Sequence, residues 1–136
     1  MYLVYQPEGD EEPKRWKYNP RKLMSPEREL LERKTGKNFT EFTKDVVAGS
    51  SVCRRALLYV FLKRDHAKLR YEDVDFAWDE LRLEYSRGEL QQIRDQVADA
   101  MSGEQAAAAL DKLDEQIADA FDDTEEEGKA SLPIAD

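Results

Sequence analysis

The chain has 136 residues, of which 38% are charged and 40% hydrophobic, and its formal net charge at pH 7 is −9. This length is enough to bury one hydrophobic core. No apolar run reaches the roughly 18 residues that a membrane-spanning helix needs, so we expect no membrane association. The single cysteine, Cys53, excludes an intramolecular disulfide framework and a cysteine-rich zinc site. The first residues lack the basic and apolar segments of a secretory signal, so we expect a cytoplasmic protein.

The charge is distributed unevenly along the chain. Residues 1–70 hold 16 Lys and Arg against 10 Asp and Glu, whereas residues 71–136 hold 5 against 20. An acidic half repels phosphate groups, so we expect no nucleic-acid binding. Two interpretations of the acidic half stay open: it keeps the chain in solution, or it competes for a basic partner.

The N-terminal residues predict a β-hairpin. Residues 1–6 and 14–18 are short stretches rich in aromatic and β-branched residues, and the turn-forming sequence PEGD, residues 7–10, follows the first of them. An isolated hairpin is barely stable in water. The two strands are therefore expected to pack on helices, to pair with something else, or to stay mobile.

Two helices are predicted next. Ser25 is expected to cap the first, with Pro26 in its first turn, and Gly36 is expected to end it in the left-handed conformation. Asn38 is predicted to cap the second helix, and Gly49 to end it. The second helix carries one apolar stripe, formed by Phe39, Phe42, Val46 and Val47.

The segment around which the first half is expected to be organised is residues 50–64, SSVCRRALLYVFLKR. Its serines suit a helix N-cap, and Lys63 and Arg64 suit a helix C-terminus. The run from Ala56 to Leu62 is apolar on nearly every side, so other elements must cover this helix. A further helix is predicted over residues 71–85, where apolar residues recur at helical spacing. They are Val74, Ala77, Trp78, Leu81 and Tyr85.

The last third contains an internal repeat at an offset of 20 residues. Residues 90–101 are LQQIRDQVADAM and residues 110–121 are LDKLDEQIADAF. Each predicts an amphipathic helix with a narrow apolar seam, and a Ser102–Gln105 capping box is expected in the break between the repeats. These helices could pack on the core, fold into a hairpin, or bury their seams on a partner. The candidate partner-binding residues are Leu90, Ile93, Val97 and Met101, with Leu110, Leu113, Ile117 and Phe121.

The fold class predicted from these patterns is mainly α. We expect a small helical domain with a short N-terminal β-hairpin at residues 1–88, and an amphipathic helix pair at residues 89–121. Residues 122–136 are acidic and rich in small residues, so a disordered tail is predicted there.

No residue pattern indicates catalysis. Cys53 lies in an apolar segment, where a cysteine is usually an inert small hydrophobe, and the only histidine, His66, lies in a polar connector. Paired carboxylates carry no specificity in a chain with 30 acidic residues. We therefore expect no enzymatic activity, no cofactor and no metal.

One ordered set of features resembles a known family. The aromatic N-terminal hairpin is followed by ERKTG at 32–36, TEF at 40–42, GS at 49–50, FLKR at 61–64 and YEDVD at 71–75. In this order they resemble the tail assembly chaperones of long, non-contractile-tailed bacteriophages and related prophages. The resemblance covers about residues 14–85.

This resemblance implies a small, acidic, mostly helical factor in the host cytoplasm. Such factors bind the tape measure protein and keep its apolar helices soluble until tail-tube subunits polymerise around it. They are typically absent from the mature virion. A frameshifted longer form, the tail tube protein and further copies of the chain are the other partners that the resemblance implies.

Two other classes of function compete with this one. The first is a structural virion component, such as a minor tail protein or a head–tail connector. The second is an acidic regulatory protein that sequesters a basic partner, and it would need the negative charge to lie on an ordered surface.

Overall fold

A computed structural model of the chain describes residues 1–122. They form two compact units, one of residues 2–84 and one of Met1 with residues 85–122. The predicted mainly α class is confirmed, because five α-helices accompany one small antiparallel sheet within residues 1–122. From residue 123 onward, the predicted disordered tail lies outside the described residues.

The sheet of the first unit has three strands, β1 (Tyr2–Tyr5), β2 (Lys14–Lys17) and β3 (Leu81–Glu84). Their order is β2-β1-β3, and both pairings are antiparallel. The first two strands are those of the predicted hairpin. The central strand is the most buried, with Leu3 and Val4 fully inaccessible to solvent. Pairing on both edges of β1 and packing on its side chains supply the support that an isolated hairpin lacks.

The prediction of a helix over residues 71–85 is wrong. The segment instead forms two short 3₁₀ turns, Tyr71–Asp73 and Trp78–Glu80, followed by β3. Arg55 holds the first turn in place, since its guanidinium donates to the carbonyl oxygens of Val74 at 2.7 Å and Tyr71 at 3.1 Å. The end of the segment satisfies its backbone by pairing with β1, so tertiary contacts override the helical spacing.

Trp78, which the predicted stripe placed on a buried face, is 66% exposed. Its ring lies against the end of the second helix, where a Cβ on Gly49 would come within 3.2 Å of the indole. Gly49 also has a φ of +103°, so both the close approach and the backbone conformation favour glycine there.

Three α-helices complete the first unit: α1 (Ser25–Thr35), α2 (Phe39–Ala48) and α3 (Ser51–Asp65). Asn38 caps α2 as predicted, accepting a hydrogen bond from the Glu41 amide at 2.8 Å. Gly36 ends α1 in the left-handed conformation, with a φ of 68°. The predicted cap of α1 is wrong by one position, because the helix begins at Ser25 and Met24 precedes it without a side-chain cap.

The core of this unit is built around α3, as the sequence predicts. Residues 56–61 are all buried, and α1 and α2 both pack against the helix. Two aromatic residues in and just after β2 also cover α3. The Trp16 ring stacks on the Phe61 ring with their centroids 5.9 Å apart, and the Tyr18 ring meets Phe61 edge-on with a centroid distance of 6.5 Å. The apolar segment therefore dictates the arrangement of the elements that surround it.

Tyr18 offers a test of this core. Its hydroxyl is buried and has no hydrogen-bond partner within residues 1–122. Burial, with a smaller effect from Cys53, raises the pKa of Tyr18 to about 12, so the hydroxyl stays protonated. Because an unpaired buried hydroxyl is costly, we expect Tyr18→Phe to raise the free energy of unfolding by about 1 kcal/mol or leave it unchanged.

Urea denaturation provides the measurement, and Tyr59→Phe is the matched control. The Tyr59 hydroxyl is also on a buried residue but accepts a hydrogen bond from Lys63 at 3.1 Å. We therefore expect Tyr59→Phe to destabilise the chain. An equal loss of stability in both variants would contradict the account of Tyr18.

Glu80 ties the β1–β2 loop to the turn that precedes β3. Its carboxylate accepts hydrogen bonds from the amides of Ala77 and Glu8, both at 2.6 Å. These two backbone donors, Ala77 first, lower the pKa of Glu80 from its ordinary value of 4.5. A lowered pKa means that this carboxylate stabilises the fold above pH 4.5 and ceases to do so as the pH falls through its folded value.

We expect Glu80→Gln to lower the denaturation midpoint at pH 7 and to bring it closer to the wild-type midpoint at about pH 3. Urea titrations at the two pH values measure both effects. Glu12→Gln, an exposed change in the same loop, should leave the pH dependence intact. A pH dependence that is the same in the Glu80 variant and the wild type would show that the carboxylate does not hold the loop.

Candidate partner-binding surface

The repeated sequences fold into an antiparallel helical hairpin, formed by α4 (Arg87–Ala100) and α5 (Gly103–Asp119). Arg94 near the middle of α4 pairs with Asp114 of α5, with Nε 2.6 Å from Oδ1. This carboxylate, through its hydrogen bond to Arg94, raises the pKa of the guanidinium. The helices thus pack on each other, which is the hairpin arrangement among those that the sequence left open.

The open end of the hairpin is closed by Arg87. Its backbone amide donates to the Phe121 carbonyl at 2.8 Å. Its guanidinium donates to the carbonyls of Ile117 at 3.2 Å and Ala120 at 3.0 Å. A cation at the C-terminal carbonyls also suits the dipole of α5. We call these bonds the Arg87 clasp, and no sequence pattern predicted it.

The start of α4 is fixed by a capping box. The buried Ser86 hydroxyl accepts from the Glu89 amide at 3.2 Å, and Glu89 accepts from the Ser86 amide at 3.0 Å. The other carboxylate oxygen of Glu89 pairs with the amino group of Met1. The capping box predicted at Ser102 is wrong, because that side chain makes no capping hydrogen bond. The chain turns there through Gly103, whose φ is +81°.

The predicted seam residues within α4 and α5 occupy the less exposed side of each helix, and Met101 and Phe121 lie just beyond the helix ends. Leu90 is buried, whereas Met101 is 41% exposed. The other six are half-buried; they are Ile93 and Val97, with Leu110, Leu113, Ile117 and Phe121. Sequence reasoning missed Ala106, which is buried and lies one turn before Leu110 on the same stripe. Its position at i−4 from Leu110 is the signal that could have identified it.

The hairpin unit has a very small core. Within residues 85–122 only Ser86, Leu90 and Ala106 are buried, and most of the seam retains part of its apolar surface in contact with solvent. Two helices packed side by side bury one stripe each, and a third helix laid over them would cover the remainder. The arrangement is therefore suited to receiving an amphipathic helix.

Negative charge dominates the rest of this unit. Residues 85–122 hold 9 Asp and Glu against 3 Lys and Arg. The side of α5 opposite the seam carries four exposed carboxylates that recur at helical spacing. These residues, which we call the acidic stripe, are Glu104, Asp111, Glu115 and Asp119.

The two residues considered for catalysis lie in different environments. Cys53 is fully buried in α3, and His66 is exposed just after the same helix. The first unit has an open cavity of about 460 Å³, with acidic residues along its lining, including Glu8, Asp10, Asp79 and Glu80. Within residues 1–122 these and the other His, Cys, Asp and Glu side chains form no group of three that could hold a metal ion. None of the helices in that range has the length and apolar character of a membrane span.

Comparison of the chain with protein-family models, with curated proteins and with solved structures found no match.

The two arginines that hold the hairpin together are expected to differ in importance. Arg87→Ala removes two charge-assisted hydrogen bonds to half-buried carbonyls, so we expect a loss of about 1–3 kcal/mol in the stability of the hairpin. Arg94→Ala removes an exposed ion pair that solvent screens, so a smaller loss than that of Arg87→Ala is expected.

Hydrogen exchange of the α4 and α5 amides measures both effects, since faster exchange confined to this unit reports opening of the hairpin. Gln96→Ala, an exposed change on α4, serves as the control. If Arg94→Ala accelerates exchange more than Arg87→Ala does, the Arg87 clasp is not the main tie between the helices.

Proposed function

We propose that this chain is a tail assembly chaperone of a long, non-contractile-tailed bacteriophage or related prophage. It binds amphipathic helices of the tape measure protein and keeps them soluble in the host cytoplasm while the tail assembles. The observation that carries the proposal is the small core of the α4–α5 hairpin, whose apolar seam remains partly exposed. The family resemblance in residues 14–85 supplies the identity of the partner.

The chemistry of the seam supports binding of a helix. It is built from aliphatic side chains with Phe121 and the exposed Met101 at its ends. Aliphatic side chains form a groove that accepts an apolar stripe, and a flexible methionine adapts to partners that differ in shape. A long protein with many similar helices needs a receptor of this adaptable kind.

The charge of the chain supports a solubilising role. Each bound copy adds a net charge of −9 to the complex, and net charge opposes the association of apolar complexes. The acidic stripe lies on the side of α5 away from the seam. The carboxylates of the hairpin unit would therefore keep a helix bound at the seam from associating with other apolar complexes.

Co-expression with the tape measure protein encoded in the same genome tests the proposal. We expect the tape measure protein to be insoluble alone and to elute as a complex with this chain when both are made. A tape measure protein whose solubility is unchanged by the chain would overturn the proposal. Retention of the chain in purified tails would instead indicate a structural minor tail or connector protein.

Single substitutions then locate the binding surface. Val97→Asp and Ile117→Asp place a charge in the half-buried seam, so we expect at least about tenfold less complex, the effect of burying an unpaired charge. The matched controls, Gln96→Asp and Gln116→Asp, introduce the same group at exposed neighbouring positions and should bind normally.

Because a charge in the seam could also unfold the hairpin, Met101→Glu provides a second variant. Met101 is exposed, so this substitution leaves the hairpin folded, and circular dichroism checks this. We expect reduced capture of the tape measure protein with unchanged helical content. Normal capture by all three seam variants would place the binding surface elsewhere on the chain.

A further inference from the structure

The first unit exposes a tryptophan that its neighbours hold in a fixed position. Trp78 is 66% exposed, and its ring lies where a Cβ on Gly49 would be 3.2 Å from the indole. The Arg54 guanidinium lies 5.4 Å from the centre of the ring. That guanidinium is itself anchored, since it donates to the carbonyls of Val46 at 3.0 Å and Val47 at 3.4 Å. An indole supported in this way loses little conformational freedom when a partner covers it.

The turn that carries Trp78 is also fixed to the sheet. The Gln6 amide donates to the Glu80 carbonyl at 2.8 Å, and the Glu80 carboxylate accepts from the amides of Ala77 and Glu8 at 2.6 Å. The tryptophan is therefore presented to solvent by a backbone that is tied down beside it. Tryptophan is enriched among the residues that dominate the binding energy of protein interfaces, so a preorganised and exposed one marks a candidate docking surface.

The acidic cavity of the first unit adjoins this tryptophan. The cavity, of about 460 Å³, reaches both chain neighbours of Trp78, which are Ala77 and Asp79. Its lining has no cationic side chain and includes the carboxylates of Glu8, Asp10, Asp79 and Glu80. The first three of these carboxylates form no ion pair within residues 1–122. The cavity therefore presents negative charge that the described part of the chain leaves uncompensated.

Tyr5 of β1 responds to this negative charge. Burial is the largest effect that raises the pKa of its hydroxyl, and Glu80, Asp10 and Asp75 raise that pKa further. Two of these three carboxylates line the cavity, and Asp75 precedes Trp78 by three residues. The surroundings of the exposed indole are thus acidic as a whole.

Local charge and net charge select the same kind of occupant. Uncompensated carboxylates favour a cationic group, and an exposed indole favours an apolar side chain next to it. The net charge of −9 attracts a basic segment from a distance, whereas it repels both a nucleic acid and a second copy of the chain. A small cation would fill the cavity but leave the indole exposed, so a peptide that offers both groups fits best.

We propose that Trp78 and the adjoining acidic cavity bind a basic peptide segment of a partner protein. A lysine or arginine of the segment enters the cavity near Asp10 and Asp79, and an apolar side chain beside it packs on the indole. This site lies on the first unit and shares no residue with the seam. It goes beyond the proposed chaperone function and does not require it.

Titration of the full, ¹⁵N-labelled chain with a synthetic peptide, followed by nuclear magnetic resonance, tests the proposal. The probe is a short peptide in which lysine alternates with leucine. The chain has two tryptophans, so the indole N–H signal of Trp16 is an internal control for that of Trp78. We expect the Trp78 signal and the amides of residues 6–10 to shift, and the Trp16 signal to stay in place. The affinity should fall roughly tenfold between about 50 mM and about 300 mM salt, because exposed charges are screened.

Two control peptides separate the contributions of charge and apolar contact. One replaces leucine with serine and the other replaces lysine with glutamate, and each should bind at least about tenfold more weakly than the probe. Equal binding of the serine peptide would reveal unspecific charge attraction, and equal binding of the glutamate peptide would exclude the cavity. Either result overturns the proposal, as does a Trp78 signal that stays in place at about 1 mM probe.

Substitutions then locate the site on the chain. Trp78→Ala should weaken binding of the probe at least about tenfold, as read from the amides of residues 6–10. Met24→Ala truncates an even more exposed side chain elsewhere in the first unit, so it should bind normally. A Trp78 signal that moves when the chain alone is concentrated would assign the surface to a second copy and overturn the proposal.

The carboxylates provide a second set of variants that does not depend on the tryptophan. The side chains of Asp10 and Asp79 make no hydrogen bond within residues 1–122, so Asp10→Asn with Asp79→Asn should fold normally and bind the probe more weakly. Glu29→Gln with Glu115→Gln removes the same charge at exposed positions elsewhere and serves as the control. Equal losses in the two double variants would contradict the proposal. Met101→Glu in the seam should bind the probe normally, which separates this inference from the chaperone proposal.

Discussion

The cover required by α3 is the constraint on which the first unit depends. Residues 56–61 of this helix are buried on every side, and no single neighbouring element could cover them all. Two helices lie against it, and Trp16 and Tyr18 add aromatic cover. The sheet contributes to this cover because Trp16 lies in β2 and Tyr18 follows it. The strands of the sheet come from distant parts of the sequence.

Two arginines beside the buried faces of α3 hold neighbouring backbone segments in place. Arg54 donates to the carbonyl of Val46 at 3.0 Å, and Arg55 donates to the carbonyl of Val74 at 2.7 Å. Val46 lies in the last turn of α2, where carbonyls have no intrahelical donor, and Val74 lies just beyond a 3₁₀ turn. Each arginine thus donates to a backbone oxygen at the end of a regular element. This one helix therefore fixes both the apolar core and the path of the irregular chain beside it, so substitutions at these arginines would disturb structure well beyond α3.

Features that depend on contacts between residues close in sequence could be predicted, and features that depend on contacts between distant residues could not. Asn38 and Gly36 mark helix ends through contacts within one turn, and the seam follows from spacing within each helix. Residues 71–85 were misassigned because their hydrogen bonds go to Arg55 and to β1, neither of which is near in sequence. The less exposed side of α4 and α5 was predictable from this spacing. The closure of the hairpin by Arg87 was not, because it depends on a carbonyl oxygen 30 residues away.

The positions of the two tryptophans determine how the units can be observed separately. Trp16 is half-buried against Phe61, Trp78 is largely exposed, and residues 85–136 contain no tryptophan. Tryptophan fluorescence therefore reports the unfolding of the first unit, with Trp16 as the environment-sensitive probe, and gives no direct signal from the hairpin unit. Far-ultraviolet circular dichroism records both units. A difference between the two transitions would resolve their stabilities in the intact chain, without cutting it.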